Sequence, residues 1–184
     1  ALSSIVSEGY IVRVVGTLEI MDASAAGNGK ITGGYDDDYG GGVYVNGGMF
    51  TMAGGTISGN HAEQEGGGVY VNGGTFTMAG GTISGNNSAT GGGLSLGNEC
   101  TFNMSGGSVA GNTATDGGGI YVWYLVDANI TGGTIFDNTA TSQGGGIFYY
   151  GANQVTVSGV KITGNTASSG GGIFCESDVY LTMT

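Results

Sequence analysis

Gly66-Gly67-Gly68-Val69-Tyr70-Val71-Asn72-Gly73-Gly74-Thr75-Phe76-Thr77-Met78-Ala79-Gly80-Gly81-Thr82-Ile83-Ser84-Gly85-Asn86 is most of one period of a pattern that runs along the chain. A glycine triplet opens it. Val69 and Val71 follow two residues apart, the spacing that puts side chains on one face of a strand, and Phe76 and Met78 repeat that spacing. Ile83 gives the inward position of a third strand and Asn86 follows it. Triplets begin at Gly40, Gly66, Gly91, Gly117, Gly144 and Gly170, a recurrence of about 26 residues that belongs to a solenoid.

Working outward, each position of the period becomes a row. After the triplets come Val43-Tyr44-Val45, Val69-Tyr70-Val71, Leu94-Ser95-Leu96, Ile120-Tyr121-Val122, Ile147-Phe148-Tyr149 and Ile173-Phe174-Cys175. The second inward pair is Phe50 and Met52, Phe76 and Met78, Phe102 and Met104, Ala128 and Ile130, Val155 and Val157, then Leu181 and Met183. The third row is Ile31, Ile57, Ile83, Val109, Ile135 and Ile162, and Asn60, Asn86, Asn112, Asn138 and Asn165 follow it. Upstream, Leu18, Ile20 and Ile31 fit the same frame, with an insertion at Met21 to Gly29.

Glycine interrupts every candidate helix and β-branched residues fill the runs, so the elements are strands and successive coils pair in parallel. The expected architecture is an all-β, right-handed parallel β-helix of about seven coils, three strands per coil, and about 30 Å long at ~4.8 Å per coil. One coil cannot bury its inward residues alone. Stacking does so, and each buried side chain contributes about 1.5–3 kcal/mol. A ladder of stacked amides is the expected role of Asn60, Asn86, Asn112, Asn138 and Asn165. The whole chain, 1–184, reads as one domain and as a fragment of a longer repeat protein. Residues 1–39 form divergent coils, 40–169 five regular coils, and 170–184 an incomplete one.

Composition narrows the partners. There are 43 glycines and no proline, which excludes collagen, and the regular apolar rows exclude a disordered linker. A net charge of −11 with three cationic residues cannot neutralise phosphates, so nucleic acid is excluded as a partner. The apolar runs are too short to insert this segment into a membrane. Cys100 and Cys175 stand three coils apart, beyond disulfide reach, and Cys175, inward on its strand, is expected to act as a small apolar residue.

Ile57-Ser58-Gly59-Asn60-His61-Ala62, Val109-Ala110-Gly111-Asn112-Thr113-Ala114 and Ile162-Thr163-Gly164-Asn165-Thr166-Ala167, each followed by Gly-Gly-Gly and an aliphatic residue, resemble the repeats of polymorphic membrane proteins and autotransporter adhesins. More broadly the chain resembles the pectin-lyase-like superfold. The first resemblance implies a structural or adhesive rod at the cell surface of a bacterium, or secreted by one, meeting host or microbial glycans or surface proteins. The second implies a polysaccharide lyase or hydrolase, of which this chain is a fragment.

The outward residues decide what such a rod could do. The row Tyr44, Tyr70, Ser95, Tyr121, Phe148 and Phe174 has neither paired carboxylates nor a base, and the second strand's outward row has none either, so no catalytic constellation is expected. Tyr44, Tyr70, Tyr121, Phe148 and Phe174 are candidate ligand-binding residues if the stripe is open, since flat rings stack on sugars, and a non-catalytic carbohydrate-binding module follows from that reading. Stacking of the rings on one another is the simpler expectation. The acidic residues Asp36, Asp37, Asp38, Glu63 and Glu65 lie in adjacent loops and offer oxygen ligands suited to Ca2+, without a calcium-loop spacing. A solvated acidic loop is the simpler reading there. Specificity is expected in the loops Tyr35 to Tyr39, His61 to Glu65 and Trp123 to Asp127. An incomplete last coil also allows end-to-end self-association into filaments.

Overall fold

In the computed structural model every pairing between strands of the described residues joins a segment to its counterpart one coil away, in parallel. Residues 9–21, 29–97, 99–151, 154–176 and 179–183 are described, so most of the insertion at Met21 to Gly29 lies outside them. The coil quoted above shows the plan. Val69–Asn72 pairs with Val43–Asn46 on one side and Leu94–Leu96 on the other. Gly74–Met78 lies between Met49–Met52 and Cys100–Met104, and Thr82–Ser84 between Thr56–Ser58 and Ser108–Ala110. Three sheets of seven, seven and six strands result. Seven strands in the first two sheets bound six full turns, one fewer than the sequence suggested.

Register follows the rows. Val43, Val69, Leu94, Ile120 and Ile147 stack inward, and so do Phe50, Phe76 and Phe102, all fully buried. Phe50 and Phe76 stack with centroids 4.7 Å apart, and Phe76 and Phe102 at 5.4 Å. Where this row narrows to Ala128 and Val155, Tyr149 takes an inward position on the first sheet and is fully buried. Ring volume is thus moved from one sheet to the other, keeping the core filled.

The asparagines form a continuous ladder. Asn86 Oδ1 accepts from the backbone N–H and the Nδ2 of Asn60, both at 3.0 Å, while Asn60 Nδ2 also donates to the Ile31 carbonyl at 3.2 Å. The same set repeats at Asn112, Asn138 and Asn165. Gly34 occupies the ladder position of the first coil and donates its N–H to Asn60 Oδ1 at 3.0 Å. Each amide therefore satisfies buried backbone at a turn that would otherwise leave polar groups unpaired.

Each triplet glycine has its own reason. Gly66 has φ +66°, a region that side chains rarely adopt. A Cβ on Gly67 would collide with the Asn87 carbonyl, and one on Gly68 would sit 2.6 Å from the Gly93 carbonyl oxygen. Here the backbones of adjacent coils touch.

The segment between asparagine and triplet, expected as a variable loop, is partly laddered too. Tyr35–Asp36 pairs with His61–Ala62, and Thr113–Asp116 with Thr139–Gln143, giving a fourth, short parallel arm beyond the three strands foreseen. Small residues hold it down, with Ala62, Ser88, Ala114 and Ala140 buried in one row. Cys100 is buried and inward, and burial raises its thiol to about 12, leaving it an inert apolar group. Cys175 departs from expectation: it pairs with Tyr149 in the inward register but is exposed, because no further described coil stacks over it.

Candidate ligand-binding face

Outward residues of the first sheet stand in strict register as Arg13, Tyr44, Tyr70, Ser95, Tyr121, Phe148 and Phe174. The Arg13 guanidinium lies 5.9 Å from the Tyr44 ring centroid. Tyr44 and Tyr70 are 5.5 Å apart, Tyr121 and Phe148 stack at 4.8 Å, and Phe148 and Phe174 at 5.4 Å. These rings satisfy one another, and Ser95, having none, divides the column in two.

The column is not the open stripe that sugar stacking would need. Tyr70, Tyr121 and Phe148 are 8%, 6% and 3% exposed, and Tyr44 and Phe174 are half-buried. Two flanking rows cover them. One is the residue before each triplet, in which Tyr39 stacks on Tyr70 at 4.8 Å. The other stands two residues beyond the outward row, where Trp123 lies 5.2 Å from Tyr121 and Tyr150 lies 6.4 Å from Phe148. Reading one row at a time hides this cover, because the flanking residues stand just before the triplet, as Tyr39 does, or at and beyond the end of the strand, as Tyr150 and Trp123 do.

At the Ser95 gap the two flanks meet. Glu65 Oε2 accepts a hydrogen bond from Ser95 Oγ at 2.9 Å and from Trp123 Nε1 at 3.1 Å. The bridge spans three coils, from the one carrying Tyr70, across Ser95, to the one carrying Tyr121. Burial raises the Glu65 carboxyl above its ordinary value, partly offset by the bonds from Ser95 and Trp123. Burial, followed by the charge of Glu65, also pushes the Tyr70 phenol up. A cavity of about 160 Å3 opens beside the carboxylate, lined by Glu65, Tyr70, Gly97 and Trp123.

The acidic residues proposed for Ca2+ do not converge. Asp36 Oδ1 caps the backbone N–H groups of Asp38 and Tyr39, both at 2.8 Å, and Asp36 Oδ2 accepts from Tyr10 N–H at 3.1 Å. Glu63 Oε1 accepts from the Tyr35 hydroxyl at 2.6 Å and meets His61 Nε2 at 3.2 Å. Those two contacts, Tyr35 first, lower the Glu63 carboxyl, and the same bond raises the Tyr35 phenol to about 12. Glu65 turns away to Ser95 and Trp123, while Asp37 and Asp38 are exposed. No group of three or more metal-ligating side chains that could hold an ion occurs among the described residues.

The Trp123 to Asp127 loop adds an apolar surface. Val126 is fully buried and anchors it, while Tyr124 and Leu125 are 44% and 49% exposed. Leu125 has φ +56°, and Tyr124 packs edge-on against Tyr150 at 4.8 Å.

Fold and face together define a rod-like repeat domain, a parallel β-solenoid with one sheet sheathed in aromatic side chains. The chain matches the family described as right handed beta helix region over residues 28–184 and belongs to that family. No curated protein and no solved structure matches it.

Proposed function

We propose that this β-helix is a rigid rod of a bacterial cell-surface or secreted protein and that it presents its turns for adhesive binding. The observation that carries the reading is the corner at Tyr124 and Leu125. Two large apolar side chains are held out in water by a buried anchor and an aromatic brace, on a scaffold whose stacked coils leave them little freedom. The likeness of the Ile-Ser-Gly-Asn and Gly-Gly-Gly elements to adhesin repeats supports the surface location. Binding at the corner to a glycan or a surface protein fits the acidic, nearly cation-free chain, which disfavours anionic partners.

The test screens the purified chain against arrayed host and microbial glycans and surface proteins, beside a Tyr124→Ser/Leu125→Ser variant. Specific binding lost in the variant supports presentation at this corner. Binding that survives the double change rules out this corner as the adhesive surface, and no binding to either array removes the adhesive role and leaves a structural rod.

A second reading, a filament subunit, is favoured by apolar openings at both ends of the solenoid. One cavity of about 510 Å3 is lined by residues including Val157, Val160, Ile162, Ile173 and Met183. The other, of about 350 Å3, is lined by residues including Val12, Leu18, Ile20 and Ile31. A polysaccharide-binding or polysaccharide-cleaving role is less favoured, since the aromatic column is covered rather than open.

A further inference from the structure

Glu65 is unusual among the carboxylates of this chain. It is half-buried, and its two hydrogen bonds come from neutral donors, both falling on Oε2. Among the described residues the only ion pair is His61 with Glu63, so no cation among them answers Glu65. A charge withdrawn from water needs a partner of opposite sign, or it costs stability. Beside it the Tyr70 ring is stacked on Tyr39 and packed at a tilt against Tyr44, whereas the next coil offers Ser95 and Gly97 and no ring. A Cβ on Gly97 would stand 3.2 Å from the Tyr70 hydroxyl, so the absence of a side chain there keeps the cavity open.

We propose that the cavity lined by Glu65, Tyr70, Gly97 and Trp123 is a binding site for an organic ammonium group. The carboxylate supplies the countercharge, and the Tyr70 ring supplies an electron-rich wall of the kind that attracts a cation within about 6 Å of a ring centroid, while Trp123 closes the cavity with the N–H edge that it turns to Glu65. About 160 Å3 admits a methylated ammonium or the head of a primary amine rather than an extended chain. A neutral sugar fits less well. Trp123 is already packed by Tyr121 and Tyr150, at 5.2 and 5.4 Å, so it offers no free face for stacking, and hydroxyl groups would leave the carboxylate's charge unanswered. The chain's net charge of −11 draws cations toward the site. This inference stands apart from the display of the rod on a cell and from the corner at Tyr124.

Trp123 is the single tryptophan of the chain, so its fluorescence reports this cavity directly. The full chain is titrated with methylammonium and with tetramethylammonium at constant ionic strength, with tert-butanol as the neutral counterpart and sodium as the simple cation. The expected result is a saturable emission change with at least one ammonium, absent with tert-butanol and sodium. Preference for methylammonium marks a hydrogen-bonded primary amine, and preference for tetramethylammonium marks an aromatic cage. Glu65→Gln, which keeps the acceptor oxygen for Ser95 and Trp123, should weaken binding at least about tenfold, with far-ultraviolet circular dichroism unchanged. Tyr70→Leu should weaken it several-fold without touching the carboxylate. No saturable change with either ammonium, an equal change with tert-butanol, or undiminished binding to Glu65→Gln overturns the proposal.

Discussion

Tyr149 stands in an inward row whose neighbours are Val122 and Cys175, and its hydroxyl is buried without a hydrogen-bond partner. The ring is wanted for volume and the oxygen is not, so Tyr149→Phe should stabilise the fold by about 1 kcal/mol, read as a higher urea midpoint with an unchanged slope. Asn86 is the opposite case. Asn86→Ala removes the oxygen that accepts from the Asn60 N–H and Nδ2, leaving the buried N–H without a partner and Nδ2 with the Ile31 carbonyl alone. The expected loss is about 2–4 kcal/mol by the same measurement, larger than for an ordinary surface amide. Glu65 gives a pH signature. Its folded-state value is raised, so the folded chain holds the proton more tightly than the unfolded one. Its contribution is therefore fully present below the ordinary value of 4.5 and is lost as pH rises through the raised value. Glu65→Gln removes that loss, so the variant should gain stability relative to the parent on going from acidic to neutral pH. A difference independent of pH would show that the carboxyl titrates normally.

Among elements, the coil was the most legible because its rows obey two simple periods. Val69 and Val71, Phe76 and Met78, and Ile83 each declare an inward face, and repetition at a fixed interval removes the ambiguity that any one short strand would carry. Asn86 was legible for the same reason, since a polar residue recurring after Ile83 in every coil has its counterpart one coil away. What stayed hidden came from the turns. Trp123 and Glu65 are 58 residues apart, and their bond crosses two coil boundaries, so no pairing of neighbouring rows foretells it. The alternation of outward positions correctly placed Tyr70 and Tyr121, yet it could not reveal that Tyr39, Tyr150 and Trp123 lean over them. The stack holds six full turns against the expected number of about seven, because strands at both ends bound it without closing a further turn. The triplet also makes a prediction at this scale. Gly67→Ala places a Cβ against the Asn87 carbonyl, a backbone atom that cannot swing aside, so adjacent coils must part. It should lower the thermal midpoint far more than Gly85→Ala, where φ is +62° but a Cβ meets nothing within 4 Å. Equal losses would mean that the approach of the coils at Gly67 costs no more than left-handed strain at Gly85.

For the whole molecule, stability is a sum over interfaces between coils, and the rod is stiff along an axis of about 29 Å between its first and last strands. Among the described residues each interior coil is covered on both faces, whereas the first and last described coils show cross-sections of the same core. Ile20 and Ile31 line the opening at one end, and Ile162 and Met183 the other. Because successive coils repeat one outline, the best surface to cover either end is the opposite end of a second copy, which extends the three sheets in parallel. The isolated chain should therefore associate head to tail as its concentration rises, with sedimentation velocity showing a ladder of species rather than a single dimer. Two single variants separate this from other modes. Ile20→Lys places a charge at one opening and Met183→Lys at the other, and either alone should stop growth, because every head-to-tail junction needs both ends intact. An equimolar mixture should then regain association but halt at the dimer, since the Ile20→Lys copy retains a sound last coil and the Met183→Lys copy a sound first one. If instead each variant dimerises by itself, the junction joins like ends, the sheets meet antiparallel, and filament growth is ruled out by the symmetry of the contact.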